Sequence, residues 1–176
     1  MEKRIDGMLQ ETGSGLIKHL RAGALVGFAG GAVEVIFMAA YCALTDTQAG
    51  KSGMEILRCV AYTFFDGGAQ LWLSGLVIHL VLSVIIGLVF GLVVYSAQQH
   101  GIQARYPVIS ASGVVMLIAI WAFNFFVLLP VINPEFIVLV PLDAAFFSKL
   151  SFGLTLGLYR VRPSYVGKPV NVLAWR

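Results

Sequence analysis

An apolar run at residues 71–95 constrains the fold of this chain more than any other feature. It is long enough to cross a bilayer as an α-helix, which takes about 20 consecutive apolar residues. A small or polar residue recurs at every fourth position of the run: Gly75, His79, Ser83, Gly87 and Gly91. Because helices in lipid associate through small residues that let their backbones approach, this stripe predicts the face that meets other helices.

The composition indicates a polytopic membrane protein. Hydrophobic residues make up 59% of the 176 residues, charged residues 12%, and the mean hydropathy is +0.86. A soluble core of this size has no room for so much apolar surface. The predicted fold is therefore all-α: a four-transmembrane-helix bundle with interfacial amphipathic helices, forming a single membrane domain over residues 1–176.

Breaker residues divide the chain into spans. Pro130 and Pro134 end the third span. The fourth span starts either at Phe136, with Pro141 as a kink, or at Pro141, which we prefer because proline is well tolerated at the first helical position. The predicted spans are residues 22–44, 71–95, 107–129 and 141–160. The other predicted segments are a cytoplasmic interfacial segment at 1–21, an outer loop with an amphipathic helix at 45–70, and a cytoplasmic tail at 161–176.

Lysine and arginine predict the orientation. One side of the predicted topology carries Lys3, Arg4, Lys18, Arg21, Arg105, Arg160, Arg162, Lys168 and Arg176. The other side carries only Lys51 and Arg58. The excess of positive charge marks the cytoplasmic side, so both termini are predicted to be cytoplasmic. Since these charges lie in loops and at the ends, the net charge of +3 indicates lipid headgroups and no nucleic-acid partner.

Polar residues inside the predicted spans form a candidate cluster: Glu34, His79, Ser83, Asn124, Asp143 and Lys149. Ionisable groups in a membrane are costly and usually face the bundle interior. Glu34 and Lys149 fall at similar depth, which predicts a charge-neutralising pair, a protonated Glu34 bonded to His79, or a relay for protons or ions. Asp143 falls near the start of the fourth span, where a carboxylate stabilises the helix amino terminus.

Asn124 lies among aromatic residues of the third span. An asparagine in such a setting usually forms a hydrogen bond across a helix interface, but the aromatic side chains are also suited to line a quinone, pigment or acyl-chain pocket. The residues of this candidate lipophile pocket are Trp121, Phe123, Phe125 and Phe126. The glycines predicted to pack helices are Gly23, Gly27, Gly31, Gly75, Gly87, Gly91, Gly153 and Gly157.

The residue pattern gives no sign of an active site. No nucleophile-and-base arrangement, phosphate loop or metal-ligand motif is present in the sequence, so we predict a protein that is not an enzyme and has no metal site. A membrane haem commonly needs two axial ligands, and His19 and His100 fall on predicted cytoplasmic segments. We therefore predict no cofactor bound by this chain alone, with lipid or quinone as the open alternative. Cys42 and Cys59 are either free thiols or a disulfide.

The second to fourth spans contain four motifs that together form a recognisable pattern: His79-x3-Ser83-x3-Gly87, Trp121-x2-Asn124, Leu129-Pro130-x2-Asn133-Pro134 and Gly153-Leu-x-Leu-Gly157. With this pattern, residues 71–159 resemble small uncharacterised four-helix bacterial membrane proteins. The resemblance implies a multi-pass protein of the bacterial inner (cytoplasmic) membrane and no established activity. In those proteins a histidine often precedes the last glycine motif, where this chain has Lys149. The second and fourth spans have similar glycine motifs. This similarity comes either from duplication of a helical hairpin or from chance, since glycine-rich helices match each other easily.

Three functions remain open at this point. The first is a non-catalytic structural or accessory subunit of a larger integral membrane complex, of respiratory or photosynthetic type, that packs through its glycine faces. The second is a small channel or transporter for ions, protons or solutes that uses Glu34, His79, Asn124 and Lys149. The third is a lipid- or quinone-binding membrane module. The predicted partners are membrane lipids and other integral subunits, with a homo-oligomer as an alternative.

Overall fold

Helices account for all the regular structure of the described chain. The computed structural model describes residues 2–45, 53–64, 71–102 and 106–160. Its helices are α1 (Glu2–Leu44), α2 (Gly53–Tyr62), α3 (Leu71–Gln99), α4 (Tyr106–Phe123), a π-helical turn (Asn124–Leu128), α5 (Leu129–Ile132), α6 (Pro134–Leu139) and α7 (Leu142–Leu156). The all-helical class predicted from the sequence is confirmed.

Three helical segments of the described residues are long and apolar enough to cross a membrane: Gly13–Leu44, Trp72–Gln99 and Tyr106–Ile132. The predicted fourth span, residues 141–160, corresponds to α7, which begins at Leu142 directly after Pro141 and has only 15 residues. At 1.5 Å per residue it rises about 22 Å, less than the hydrocarbon thickness of about 30 Å. Val140 separates it from α6 in an extended conformation, which is the conformation that a residue before proline prefers.

The first helix also differs from the prediction. α1 runs without a break from Glu2 to Leu44, where we expected an interfacial helix up to residue 21 and a separate span from residue 22. The segment contains no proline, so nothing in it removes a backbone hydrogen-bond donor. Lys51 and Arg105, which enter the orientation prediction, and the predicted tail at 161–176 lie outside the described residues.

Packing in the bundle is centred on α1. This helix packs against α3 and α7, and α7 packs in turn against α4. Phe90 of α3 and Leu117 of α4 share a buried cluster with Phe152 and Leu156 of α7, so side chains connect α3 to α4. The short helix α2 packs against α3 and contacts α6, and we call this end of the bundle the α2 end.

Glycines set the spacing between α1 and α3. A Cβ atom added to Gly27 would lie 2.8 Å from the Cα of Gly87, closer than real Cβ contacts allow. The two backbones therefore touch at a point where neither residue has room for a side chain. The other glycines predicted to pack helices also lie at close approaches to other residues: Gly23, Gly31, Gly75, Gly91, Gly153 and Gly157.

Candidate functional site

Glu34 of α1 and Lys149 of α7 meet inside the bundle. Lys149 Nζ donates a hydrogen bond to Glu34 Oε1, and Ser148 Oγ donates to the same oxygen at 3.3 Å. The Glu34 side chain is 9% exposed and the Lys149 side chain 16% exposed. Because burying an isolated charge is costly, the contact between opposite charges offsets part of the cost for each.

His79 of α3 adds its imidazole ring to this pair. Its Nε2 lies 3.2 Å from the backbone oxygen of Gly31 and 3.9 Å from Glu34 Oε2. A carbonyl oxygen only accepts hydrogen bonds, so Nε2 carries a proton and donates a hydrogen bond to the Gly31 oxygen. Ser83, one helical turn away, donates its hydroxyl to the backbone oxygen of His79 at 2.7 Å, which leaves the ring itself unaffected.

The second carboxylate oxygen of Glu34 is not satisfied. Oε2 is buried and has no hydrogen-bond partner among the described residues. His79 Nε2, at 3.9 Å, lies beyond hydrogen-bond distance. A buried acceptor without a partner costs about 1–3 kcal/mol. The cluster of Glu34, His79 and Lys149, which we call the buried charge cluster, is therefore held together at some energetic cost.

A cavity of about 630 Å³ borders the buried charge cluster. This volume lies within the range of about 300–1,000 Å³ that is usual for small-molecule sites. Glu34, His79 and Lys149 all form part of its wall, together with Asn124. Most of the remaining wall is apolar, with Met38, Ile56, Trp72, Ile120, Phe125 and Phe136 among its residues. The site is therefore a largely apolar cavity with a few charged and polar groups on its wall.

Two packed apolar clusters flank the cavity. At the α2 end, Phe125, Val140 and Ala145 are buried together, and all three also line the cavity. Away from the α2 end, Phe152 lines the cavity and belongs to the buried cluster that contains Leu117. The cavity thus lies between two regions of close packing.

The π-helical turn positions Asn124 and Phe125 at the cavity wall. The N–H of Leu129 donates to the oxygen of Asn124, one residue further back than in an α-helix. Pro130 has no N–H, and in a regular helix its ring would clash with the carbonyl of Phe126. A wider turn just before the proline avoids this clash. Among the described residues, the Asn124 side chain forms no hydrogen bond, and Asn124 lines the cavity.

Not all of the predicted site residues meet. Five of the six line one cavity: Glu34, His79, Ser83, Asn124 and Lys149. Within this set, Glu34 lies close to both His79 and Lys149. Asp143 is exposed in the first turn of α7, where Oδ1 accepts the N–H of Ala144 at 2.8 Å.

The predicted lipophile pocket also divides. Of its four aromatic residues only Phe125 lines the cavity. Phe123 and Phe126 are more than half exposed on the outside of the bundle. Trp121 packs edge-on against Phe126 and Phe146. Cys42 and Cys59 are not joined by a disulfide, and Cys59 Sγ donates a hydrogen bond to Asn133 Oδ1 at 3.6 Å.

Asn133 has a role that sequence reasoning missed. Its Nδ2 donates to the backbone oxygen of Cys59 at 2.9 Å and to Thr63 Oγ1 at 2.7 Å, and its Oδ1 accepts the N–H of Phe136 at 3.2 Å. It therefore caps α6 and ties that helix to the end of α2. The signal was present, because asparagine directly before a proline is a typical helix N-cap.

The burial of His19 was not predicted from the sequence. His19 is 1% exposed and bonded through Nδ1 to the Tyr159 hydroxyl at 2.6 Å. This bond joins α1 to the chain just after α7. Its position four residues before Gly23 continues the glycine stripe of α1, which would have indicated a buried site.

Comparison of the chain with protein-family models, with curated proteins and with solved structures finds no match. The cavity and the buried charge cluster are therefore the features of this chain that bear on its function.

Proposed function

We propose that this protein is a membrane module that binds a lipophilic molecule, a lipid or a quinone-type compound, inside the bundle. The observation that supports this function best is the cavity of about 630 Å³ with the buried charge cluster on its wall. An apolar wall holds the hydrophobic part of a ligand, and a few polar groups fix the orientation of its head. The head would lie at Glu34, His79 and Lys149.

The accessory-subunit hypothesis has less support in the geometry. Glycine-rich faces that are free to dock against other subunits are one of its grounds, beside the small size of the chain and the lack of recognisable chemistry in its sequence. In the structure these glycines lie at close approaches within the same chain, as between Gly27 and Gly87. Among the described residues, the glycines of the predicted packing stripe on α1 and α3 are therefore already covered within the chain. Membership of a larger complex stays a prediction, and the experiment below also tests it.

A channel needs a polar path that continues beyond the buried charge cluster. Away from the α2 end, the next buried residues of the described bundle are Phe90, Leu117, Phe152 and Leu156, which pack together. This packing favours a site that ends inside the protein over a path that crosses it.

We further propose that the chain crosses a bacterial inner membrane four times, with both termini in the cytoplasm. The fourth crossing would use α6 and α7 together, interrupted at Val140. In support of this, the Arg160 guanidinium lies 4.4 Å from the ring centroid of Tyr106. The chain that leaves along α4 has thus returned to the same end of the bundle by residue 160. The charge pattern described above gives the orientation.

The direct test is extraction of the occupant. Protein purified from native membranes in a mild detergent should carry a stoichiometric lipophile, identified by mass spectrometry of an organic extract and by its absorption spectrum. Ile120→Trp places a large ring at the cavity wall and should lower the bound amount several-fold. Val115→Trp is the matched control, because Val115 is on the same helix and 66% exposed.

Two results would contradict the proposal. The first is protein that carries no lipophile beyond the detergent and lipid belt. The second is an equal amount in both tryptophan variants, since this would place the bound molecule on the outer surface. Stoichiometric recovery of other integral subunits instead of a lipophile would support the accessory role.

A further inference from the structure

The hydrogen bond of His79 to Gly31 determines what the other ring nitrogen can do. Nε2 donates to the Gly31 oxygen at 3.2 Å, so in the neutral ring Nδ1 is an acceptor. No described residue forms a hydrogen bond with Nδ1, and this atom is not fully buried. His79 lines the cavity, and its side chain is 18% exposed. Nδ1 is therefore a free acceptor that a molecule in the cavity can reach.

Hydrogen-bond donors also line the cavity wall that contains His79. Lys149 Nζ has three N–H groups, and its contact with Glu34 Oε1 uses one of them. Asn124 also lines the cavity, and its amide has no hydrogen bond among the described residues. A head group inside the cavity thus meets an acceptor at His79 and donors at Lys149 and Asn124.

A hydroxyl group matches this wall, because it donates one hydrogen bond and accepts others. We infer that the occupant has a neutral, hydroxyl-bearing aromatic head, so that a quinol-type ring binds in preference to the corresponding quinone. A quinone has only acceptor oxygens and would leave His79 Nδ1 without a partner. An anionic head, such as a phosphate, would bring a second negative charge beside Glu34 in a region of low dielectric constant.

The lining of the cavity agrees with an aromatic head. Trp72, Phe125 and Phe136 supply aromatic rings to the wall, and aromatic pairs contribute beyond the area they bury. This inference rests on the proposed function, since it names the ligand class of the same cavity. It concerns binding alone and requires no electron transfer in the site.

Calorimetric titration of purified protein, first depleted of its bound lipid, tests this inference. The probes are a benzoquinone with a decyl tail and its benzoquinol, the latter kept reduced under anaerobic conditions. One added hydrogen bond is worth about 0.5–1.5 kcal/mol, so the quinol should bind up to about tenfold more tightly than the quinone. The two probes share the same tail, which cancels the hydrophobic contribution.

Two substitutions at His79 separate the ligand contact from the contact with Gly31. The amide of His79→Asn lies near the position of Nδ1, so this variant should keep the preference for the quinol. The longer His79→Gln places its amide near the position of Nε2, so it should keep the Gly31 contact and lose the preference. If the role of His79 is only to bond Gly31, neither variant changes the ratio of the two affinities.

The possible failures are distinguishable. Equal binding of quinol and quinone by the wild-type protein would overturn the inference and leave the proposed function standing. Binding of neither probe, together with no lipophile in the extract, would overturn both. Tighter binding of the quinone would show that the wall offers donors alone, and would also overturn the inference.

Discussion

Glu34 and Lys149 are less costly to bury together than either would be alone. A charge that leaves water loses several kcal/mol of hydration, and an opposite charge in contact restores part of this. Ser148 adds a further hydrogen bond to the carboxylate at 3.3 Å. The pair thus links α1 to α7 at the level of the cavity.

Removing one member of the pair should be more damaging than removing both. We expect Lys149→Met to lower the free energy of unfolding by about 3 kcal/mol, because it leaves the Glu34 carboxylate buried and uncompensated. The double variant Glu34→Gln with Lys149→Met should recover most of that loss. Equilibrium unfolding in mixed micelles measures both values. Additive effects in the double variant would contradict the ion pair.

Asn133 should contribute more to stability than an exposed polar residue nearby. Asn133→Ala removes the bonds to Cys59 and Thr63 as well as the cap of α6, so we expect a loss of about 2–3 kcal/mol. Asp143→Ala is the control, because Asp143 is exposed and should cost at most about 1 kcal/mol. Hydrogen exchange of α2 provides a second readout: it should accelerate in Asn133→Ala only.

The helices themselves pack by two different means. α1 and α3 approach through glycine, so their contact consists mainly of backbone against backbone. The contacts of α7 combine close approach at Gly153 with large side chains, since Phe152 packs its ring over Gly30 of α1. The first kind of contact tolerates no added atom, whereas the second tolerates small changes of side-chain shape.

A methyl group at the α1–α3 contact should separate the helices. Gly27→Ala would place Cβ against the backbone of Ser83 and Gly87, and we expect it to lower the free energy of unfolding by about 2 kcal/mol. Gly13→Ala is the matched control on the same helix. No atom lies within 4 Å of its added Cβ, so stability should stay the same or rise by at most about 1 kcal/mol. Equal effects at both positions would contradict the packing.

At the scale of the whole molecule, the cavity exists because helices far apart in sequence meet around it. Glu34 and Lys149 are separated by 115 positions, and Asn133 bonds to Cys59 over 74 positions. The end of α7 returns to α1 through the bond between Tyr159 and His19. These long-range contacts hold the wall of the cavity in place.

The proposed orientation predicts which ends of the bundle can be labelled from outside. In a background without Cys42 and Cys59, Thr45→Cys at the end of α1 should react with a membrane-impermeant maleimide in intact spheroplasts. Ile102→Cys, after α3, should react only after permeabilisation, because the proposed orientation has that end in the cytoplasm. The reverse pattern would contradict the orientation, and labelling of both positions would contradict the crossing of α3.

The residue types alone allowed several parts of the site to be predicted. Glu34, His79, Asn124 and Lys149 were identified because polar groups in an apolar run are expensive and usually face inward. Asn133 and His19 could not be predicted in this way, because an asparagine between prolines is typical of a helix break and a histidine in a basic segment is typical of a surface. The spacing of the aromatic residues in the sequence predicts one group around Asn124, but Phe125 lies on the cavity wall and Phe126 on the outside.

The sequence by itself determined the helical class and the membrane setting, because long apolar runs and the four-residue period of small residues are local properties of the chain. The short length of α7 and the uninterrupted length of α1 were decided only in the folded chain. So was the cavity, since its volume depends on how tightly glycine contacts draw α1 to α3 and on which side chains fill the space between α3 and α4. Such packing depends on residues distant in sequence, and no local pattern encodes it.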